Sequence, residues 1–239
     1  MARTPAKKLS VSTREVSPDT RVLREGLKKF LETPHQDPAS GKSTSVGKRK
    51  YGVYAFYDYD GERIYVGQTV EGIATRIRRH LTNQRTDAVA MSVLDPFEVR
   101  AIEVWPLSSD LHADAKSACN DLEYAVYAEL LKRSKFRAIL NEKIPQPGRK
   151  ISLPPSTRGE IVEGELLEAR SHPDVRIARR AMTIARLSQV ISERKVQPGL
   201  RRSLEVQARR LASLAEDRFG AFEDDANRED AKSDEEDDE

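Results

Sequence analysis

The segment from residue 51 to residue 69, YGVYAFYDYDGERIYVGQT, restricts the fold more than any other part of the sequence. It holds five of the seven tyrosines of the chain, and Asp60-Gly61 interrupts its alternation of apolar and polar residues. An Asp-Gly pair between two alternating segments is a strong hairpin signal, because a type I′ turn requires positive φ at both central residues. The sequence therefore predicts two antiparallel strands joined by a two-residue loop at Asp60 and Gly61.

This loop fixes which residues of the two strands face each other. Phe56 is predicted opposite Tyr65, and Tyr54 opposite Gly67, so Tyr54 and Tyr65 share one face of the sheet. Gly67 has no side chain and would leave a notch opposite Tyr54, where another molecule could approach the backbone. The other tyrosines of the segment are predicted to pack as ordinary strand residues: Tyr51, Tyr57 and Tyr59.

The next segment, EGIATRIRRHL, has the spacing of an amphipathic helix. Ile73, Ile77 and Leu81 lie on one stripe of that helix, and Arg76 and His80 lie one turn apart beside the stripe. Arg76 and His80 are therefore expected at the rim of the core, with their side chains oriented toward the same surface as the sheet.

A second helix, in DLEYAVYAELLKR, places a carboxylate at the margin of its apolar arc. Leu122, Val126 and Leu130 form the arc, Glu123 lies beside Leu130, and Glu129 also borders the arc. A carboxylate at a core margin requires a metal, a cation or a network of donors. The helical wheel leaves both glutamates open as candidates.

The formal net charge of +2 hides an uneven distribution. Residues 223–239 hold eleven acidic residues against two basic ones, so the remainder of the chain is strongly basic, which favours a polyanionic partner. The single cysteine, Cys119, excludes an internal disulfide and a cysteine-based zinc cluster. Without a long apolar run the chain is expected to be cytoplasmic and to have no membrane partner.

Six features occur in an order that resembles the GIY-YIG nuclease superfamily: Gly52-Val53-Tyr54, Tyr65-Val66-Gly67, Arg76, His80, Glu123 and Asn141. Valines replace the isoleucines of the family name, which is a conservative change in strands. The resemblance implies an α+β fold with a small three-stranded antiparallel sheet flanked by helices, here followed by a C-terminal helical region.

The resemblance also implies roles for the catalytic residues. Glu123 would hold Mg²⁺ or Mn²⁺ against the scissile phosphate, since one carboxylate with phosphate oxygens and waters is ordinary Mg²⁺ coordination. Tyr54 would act as general base or position the water, and Arg76 would stabilise the phosphate charge. The supporting residues would be Tyr65 and His80, which orient the water and relay its proton, and Asn141. Gly52 and Gly67 would allow close approach of the backbone.

Composition and pattern divide the chain into five regions. These are an N-terminal helix with a flexible linker (1–49), the GIY-YIG nuclease domain (50–145), a proline-rich connector (146–171), a basic helical accessory region (172–222) and an acidic disordered tail (223–239). The accessory region is predicted to be an antiparallel helical pair. Its arginines would contact phosphates, or its apolar residues would pack on the nuclease domain or on a second subunit.

The predicted function is a metal-dependent DNA endonuclease of restriction, mobile-element or repair type. The alternative is a catalytically inactive nucleic-acid-binding module with the same fold. Expected partners are double-stranded DNA, with RNA left open, and a second copy in a homodimer, without a small-molecule cofactor. Basic residues predicted to contact the nucleic acid are Lys50, Arg63, Arg78, Arg79, Arg179, Arg180, Arg201 and Arg202.

Overall fold

The computed structural model describes residues 18–37, 40–82, 94–108, 111, 114–141 and 143–236. In these ranges the helices are α1 (Pro18–Glu32), α2 (Ile73–Leu81), α3 (Ala115–Arg133), α4 (Gly164–Ser171), α5 (Pro173–Glu193) and α6 (Pro198–Glu236). The strands are β1 (Pro34–Gln36), β2 (Ser43–Ser45), β3 (Gly52–Tyr57), β4 (Arg63–Thr69), β5 (Ala101–Pro106) and β6 (Thr157–Glu160).

The main sheet is antiparallel with the strand order β4-β3-β5-β6, which confirms the predicted α+β class. It has four strands instead of the predicted three, because β6 comes from the proline-rich connector and pairs with β5. The sequence TRGE of β6 has no apolar alternation and so gave no strand signal. It is extended here because β5 offers an open edge and because Phe30 of α1 covers Gly159, where a Cβ would lie 2.8 Å from the ring.

The turn of the tyrosine hairpin differs from the predicted two-residue loop. The backbone N–H of Asp58 donates to the carbonyl of Glu62 (3.0 Å), and that of Gly61 donates to the carbonyl of Asp58 (3.1 Å). Gly61 has a φ of 72°, whereas Asp60 has no positive φ and so does not form a type I′ turn. The loop therefore spans residues 59–61, a three-residue hairpin loop with glycine in the left-handed region.

A bulge in β4 restores the predicted register despite the longer loop. Tyr57 pairs with Arg63 while Phe56 pairs with Tyr65, so Ile64 is an extra residue in β4. The additional loop residue and the bulge offset each other, and every pair beyond the bulge is the predicted one.

The sheet separates two apolar layers. The larger cluster lies on the face of Tyr54 and Phe56 and includes side chains from α1, α2, α5 and α6, among them Leu27, Ile77 and Leu187. Helix α3 covers the opposite face with a smaller cluster. The N-terminal helix and the C-terminal helical pair therefore share one core with the sheet, and burial of this common apolar surface holds them together.

The segment between α1 and β3, predicted to be a flexible linker, contains the short β1–β2 hairpin. Arg49 donates to the buried Asp37 carboxylate (2.6 Å) and to the carbonyl of His35 (2.9 Å). Composition alone predicted flexibility, whereas a buried ion pair connects Asp37, which follows β1, to Arg49, which follows β2.

Helices α5 and α6 form the predicted antiparallel pair, with Asp174 at the start of α5 bonded to Arg218 of α6 (3.0 and 3.1 Å). The backbone of α6 is helical as far as Glu236, whereas the sequence predicted disorder from residue 223. After Gly220 this segment has no glycine or proline and contains several good helix formers.

A buried ion network joins the helical pair to the tyrosine hairpin. Arg180 of α5 donates to Glu98 (2.9 Å) and to Asp58 (3.1 Å), and Arg210 of α6 donates to Asp58 (2.6 Å). All four side chains are at most 5 % exposed. The turn of the hairpin is therefore fixed by charges from both helices.

Two further arginines of α5 extend this contact. Arg176 forms a two-pronged ion pair with Asp60, and although burial alone would raise the pKa of the Asp60 carboxyl, Arg176 holds it below its ordinary value. Arg179 donates twice to Asp95 (2.9 and 3.0 Å) and lies 3.7 Å from the centroid of the Phe97 ring. These three arginines of α5, Arg176, Arg179 and Arg180, thus bind carboxylates of the protein itself.

These contacts correct part of the predicted nucleic-acid interface. Arg180 is 2 % exposed, so the prediction that it contacts phosphate is wrong. The guanidinium of Arg179 is bonded to Asp95, and that of Arg202 donates to the carbonyl of Asn141 (2.9 Å). The second interpretation of the helical pair, packing on the nuclease domain, fits the structure. No helix in the described residues is long and apolar enough to span a membrane.

Candidate active site

A cleft of about 500 Å³ lies along β4, the edge strand of the main sheet. Tyr65, Gly67 and Gln68 of β4 line it, together with Arg76 of α2 and Glu123 of α3. Segment 143–148 lines the opposite part of its wall, and three further residues of α3 also line it: Ser117, Asn120 and Asp121. Because β4 is at the edge, side chains from helices on both faces of the sheet reach the same cleft.

An aromatic cluster lies beneath this cleft. The centroid of the Tyr54 ring is 6.2 Å from that of Tyr65, and the ring of His80 is 5.0 Å from Tyr65. The two tyrosines therefore share a face, as predicted. Tyr54 is fully buried, and its hydroxyl forms a hydrogen bond with Nε2 of His80 (2.9 Å). Of the two tyrosines, only Tyr65 lines the cleft.

Gly67 leaves room for Tyr54 instead of an external molecule. A Cβ on Gly67 would lie 2.6 Å from the hydroxyl oxygen of Tyr54 and 2.9 Å from the Tyr65 ring. The predicted notch is therefore filled by the protein itself. At Gly52 the close approach is also internal, since a Cβ would lie 2.7 Å from the carbonyl oxygen of Trp105.

Replacement of Gly67 by alanine tests this packing. We expect Gly67→Ala to lower the free energy of unfolding by about 1–3 kcal/mol, because the Tyr54 hydroxyl must move from its position against the backbone. Urea unfolding measures the effect, with Gly220→Ala as control, since a Cβ at Gly220 meets nothing within 4 Å. Equal stability of Gly67→Ala and the wild type would show that Tyr54 does not occupy this position.

Arg76 presents a permanent positive charge to the cleft. Burial alone would lower its pKa, but its hydrogen bond with Tyr54, together with the nearby Tyr65 and the Glu71 carboxylate, raises it above its ordinary value. Its Nε is buried and has no hydrogen-bond partner. A half-buried guanidinium with spare donors can bind an anion through several hydrogen bonds.

Glu123 is the carboxylate of α3 that reaches the cleft. Burial raises its pKa, an effect that Gln68, Lys116 and Arg76 partly offset. Its Oε2 accepts a hydrogen bond from Nε2 of Gln68 (3.0 Å). Glu129, the other candidate from the sequence, pairs with Arg133 (2.7 Å) and Lys132 (3.7 Å) and does not line this cleft.

Asn141 supports β4 instead of facing the cleft. Its side-chain amide donates to the carbonyl of Val66 (2.7 Å) and accepts from the N–H of Val66 (3.0 Å). The amide thus takes the place of a neighbouring strand at the edge of the sheet, between the positions of Tyr65 and Gly67. Of the predicted catalytic residues, Tyr65, Arg76 and Glu123 line the cleft, while Tyr54, His80 and Asn141 lie behind it.

The donor set of the cleft fits one hard divalent cation. No group of three or more His, Cys, Asp or Glu side chains converges in the described ranges. Glu123 nevertheless offers one carboxylate, and its Oε1 accepts no hydrogen bond from the described residues. Mg²⁺ prefers oxygen ligands and keeps several waters when it binds through one carboxylate and substrate phosphates.

The remaining basic candidates lie outside the cleft. Arg78 and Lys50 are exposed, and Arg79 is half-buried and forms a surface ion pair with Glu71 (2.8 Å). Arg63 donates to the carbonyl of Arg133 beside the hairpin turn. Arg201 is exposed on α6. Lys50, Arg78 and Arg201 have accessible charges for contact with a polyanion, and that role stays a prediction.

Sequence reasoning missed Gln68 and Asn120. Nε2 of Gln68 donates to Oδ1 of Asn120 (2.5 Å) as well as to Glu123. A signal was present, because Gln68 alternates with Val66 on the face that α3 covers, where an apolar residue is expected. Asn120 lies three residues before Glu123 and therefore on the same side of α3.

Comparison with known families bears on the same region. Residues 50–133 match the family model of the GIY-YIG catalytic domain, which confirms the resemblance predicted from the sequence over that span. The matched residues cover less than half of the chain and include every predicted catalytic residue except Asn141. No curated protein and no solved structure matches the chain. A GIY-YIG domain implies a nuclease-type activity and therefore a nucleic-acid substrate.

Proposed function

From a GIY-YIG catalytic domain at residues 50–133, we propose that the protein is a metal-dependent endonuclease that hydrolyses phosphodiester bonds in double-stranded DNA. The observation that carries the proposal is the convergence of Arg76, Glu123 and Tyr65 on one cleft from α2, α3 and β4. These side chains come from three separate elements, and ordinary core packing does not require a cation and a carboxylate to meet there.

Phosphodiester hydrolysis requires an activated water and stabilisation of the negative charge on the transition state. Arg76 supplies the second requirement, since a guanidinium matches two phosphate oxygens with two donors. Glu123 would hold the divalent cation, which when bound polarises the phosphate and assists the leaving oxygen. Mg²⁺ and Mn²⁺ prefer oxygen ligands, and the Glu123 carboxylate would supply one.

The positions of the two tyrosines change the roles implied by the resemblance. Tyr54 is fully buried and does not line the cleft, and its hydroxyl is bonded to His80 and to the cleft residue Arg76. Tyr65 lines the cleft beside Arg76. We assign contact with the attacking water to Tyr65, with Arg76 stabilising negative charge that develops on its oxygen. Tyr54 and His80 then orient the Tyr65 ring from below.

The alternative, a binding module without activity, would use the guanidinium of Arg76 but would not need the half-buried carboxylate of Glu123. A carboxylate beside the phosphate path weakens simple binding of a polyanion by like-charge repulsion. The presence of both groups in one cleft therefore favours catalysis. The same chemistry serves restriction, mobility of a genetic element or repair.

The proposal is tested by incubating the full-length protein with supercoiled plasmid, linear duplex DNA and RNA in Mg²⁺, in Mn²⁺ and in chelator. We expect nicked or linear plasmid with either metal, intact plasmid in chelator, and intact RNA. Absence of DNA cleavage together with retained DNA binding would favour the inactive module. Cleavage of RNA alone would support phosphodiester hydrolysis and show that the substrate is RNA instead of DNA.

A further inference from the structure

The amide of Gln68 connects β4 to the carboxylate of α3. Its Nε2 donates to Oε2 of Glu123 (3.0 Å) and to Oδ1 of Asn120 (2.5 Å). An amide nitrogen has two hydrogens, so both donors of Gln68 are engaged. Gln68 therefore holds one defined orientation between two residues that lie three positions apart on α3.

This arrangement leaves one oxygen of Glu123 available. Among the described residues, Oε2 of Glu123 accepts the bond from Gln68, and Oε1 forms no hydrogen bond. The cation of Lys116 is close enough to influence the carboxylate, as is that of Arg76. Without the anchor on Oε2 the half-buried carboxylate could rotate toward Lys116 or toward solvent.

We propose that Gln68, held by Asn120, is a positioning residue that fixes the Glu123 carboxylate and thereby sets the affinity of the cleft for a divalent cation. The inference rests on the proposed function, because it assigns the cation to Glu123. A residue that orients a metal-binding carboxylate through a hydrogen bond acts on affinity without contacting the metal, and loss of such a partner costs about 10- to 100-fold in affinity or activity.

Direct binding of Mn²⁺ tests the inference without reference to cleavage. The free Mn²⁺ signal in electron paramagnetic resonance is titrated with full-length wild-type protein and with Gln68→Met, which keeps side-chain length and removes both donors. We expect Mn²⁺ affinity about tenfold lower in Gln68→Met. The matched control is Gln146→Met, the same replacement at an exposed glutamine on the wall of the same cleft, which should leave affinity unchanged.

A purely structural role for Gln68 predicts a different pattern. It would lower the melting temperature of Gln68→Met and leave Mn²⁺ affinity at the wild-type value, and that result would overturn the inference. If Gln68→Met does not fold, Asn120→Ala provides the same test, since Asn120 is exposed and its loss frees Gln68 to turn away from Glu123. Wild-type affinity in Asn120→Ala would then contradict the inference.

Failure of the inference and failure of the proposed function give distinct results. Glu123→Ala should abolish the Mn²⁺ binding that Gln68→Met only weakens. If Mn²⁺ binding depends on Glu123 but its affinity is equal in Gln68→Met and the wild type, the inference is wrong and the proposed function still stands. Absence of Mn²⁺ binding and of cleavage in the wild type overturns both.

Discussion

Arg76→Ala is expected to lower the rate constant for DNA cleavage by about 100- to 1000-fold, the usual effect of removing one preorganised donor from a transition state. The guanidinium lies at the cleft, keeps its charge, and has an unpartnered Nε. Single-turnover cleavage of an end-labelled duplex measures the rate without interference from product release. Melting temperature, recorded in parallel, should change little, because Arg76 is only half-buried.

Arg78→Ala is the matched control for this experiment. It removes the same charge from the same helix, two residues away, at an exposed position. We expect at most a small, salt-dependent loss of DNA affinity and an unchanged rate constant. Equal effects of the two replacements would mean that α2 contributes general charge instead of a specific phosphate contact.

Arg180→Met is expected to lower the free energy of unfolding by about 3–5 kcal/mol, because it leaves Asp58 and Glu98 buried with less compensation. Both carboxylates are almost fully buried, and Arg180 bonds to each of them. Methionine keeps much of the side-chain volume, so the effect reports the charge and not a cavity. Urea unfolding followed by circular dichroism measures it.

The control for this stability measurement is Arg201→Met, at an exposed position of the partner helix α6. A surface replacement of this kind should change stability by less than about 0.5 kcal/mol. If Arg180→Met were as stable as the wild type, the ion network would not join the helical pair to the hairpin. The expected large effect would show that the buried carboxylates Asp58 and Glu98 depend on Arg180 of α5 for their charge compensation.

The pairing of β3 with β4 could be predicted from the sequence, and the shape of their turn could not. Tyr54 and Tyr65 share a face because of the strand period of two, which is a local property. The three-residue loop depends on Asp58, whose carboxylate accepts the N–H groups of Asp60 and Glu62. The other oxygen of Asp58 is engaged by arginines far along the chain, so the turn depends on tertiary contacts that local sequence does not encode.

The same distinction applies to the candidate site. Arg76 and Glu123 were found because each is a charged residue at the margin of an apolar helical stripe. The full burial of Tyr54 and the partial burial of Tyr65 were not predictable, because strand alternation indicates which face a side chain is on but not how deeply it is buried. Arg180 was misassigned because the sequence of a basic helix has the same pattern whether its arginines contact phosphates or buried carboxylates.

The central claim is that Glu123 and its cleft cleave DNA, and the comparison of Glu123→Gln with Glu129→Gln tests it most directly. Both variants remove one carboxylate from α3, but Glu129 pairs with Arg133 away from the cleft. We predict metal-dependent cleavage at the wild-type rate for Glu129→Gln and none above background for Glu123→Gln. Wild-type cleavage by Glu123→Gln, or its loss only in Glu129→Gln, would contradict the assignment of the site.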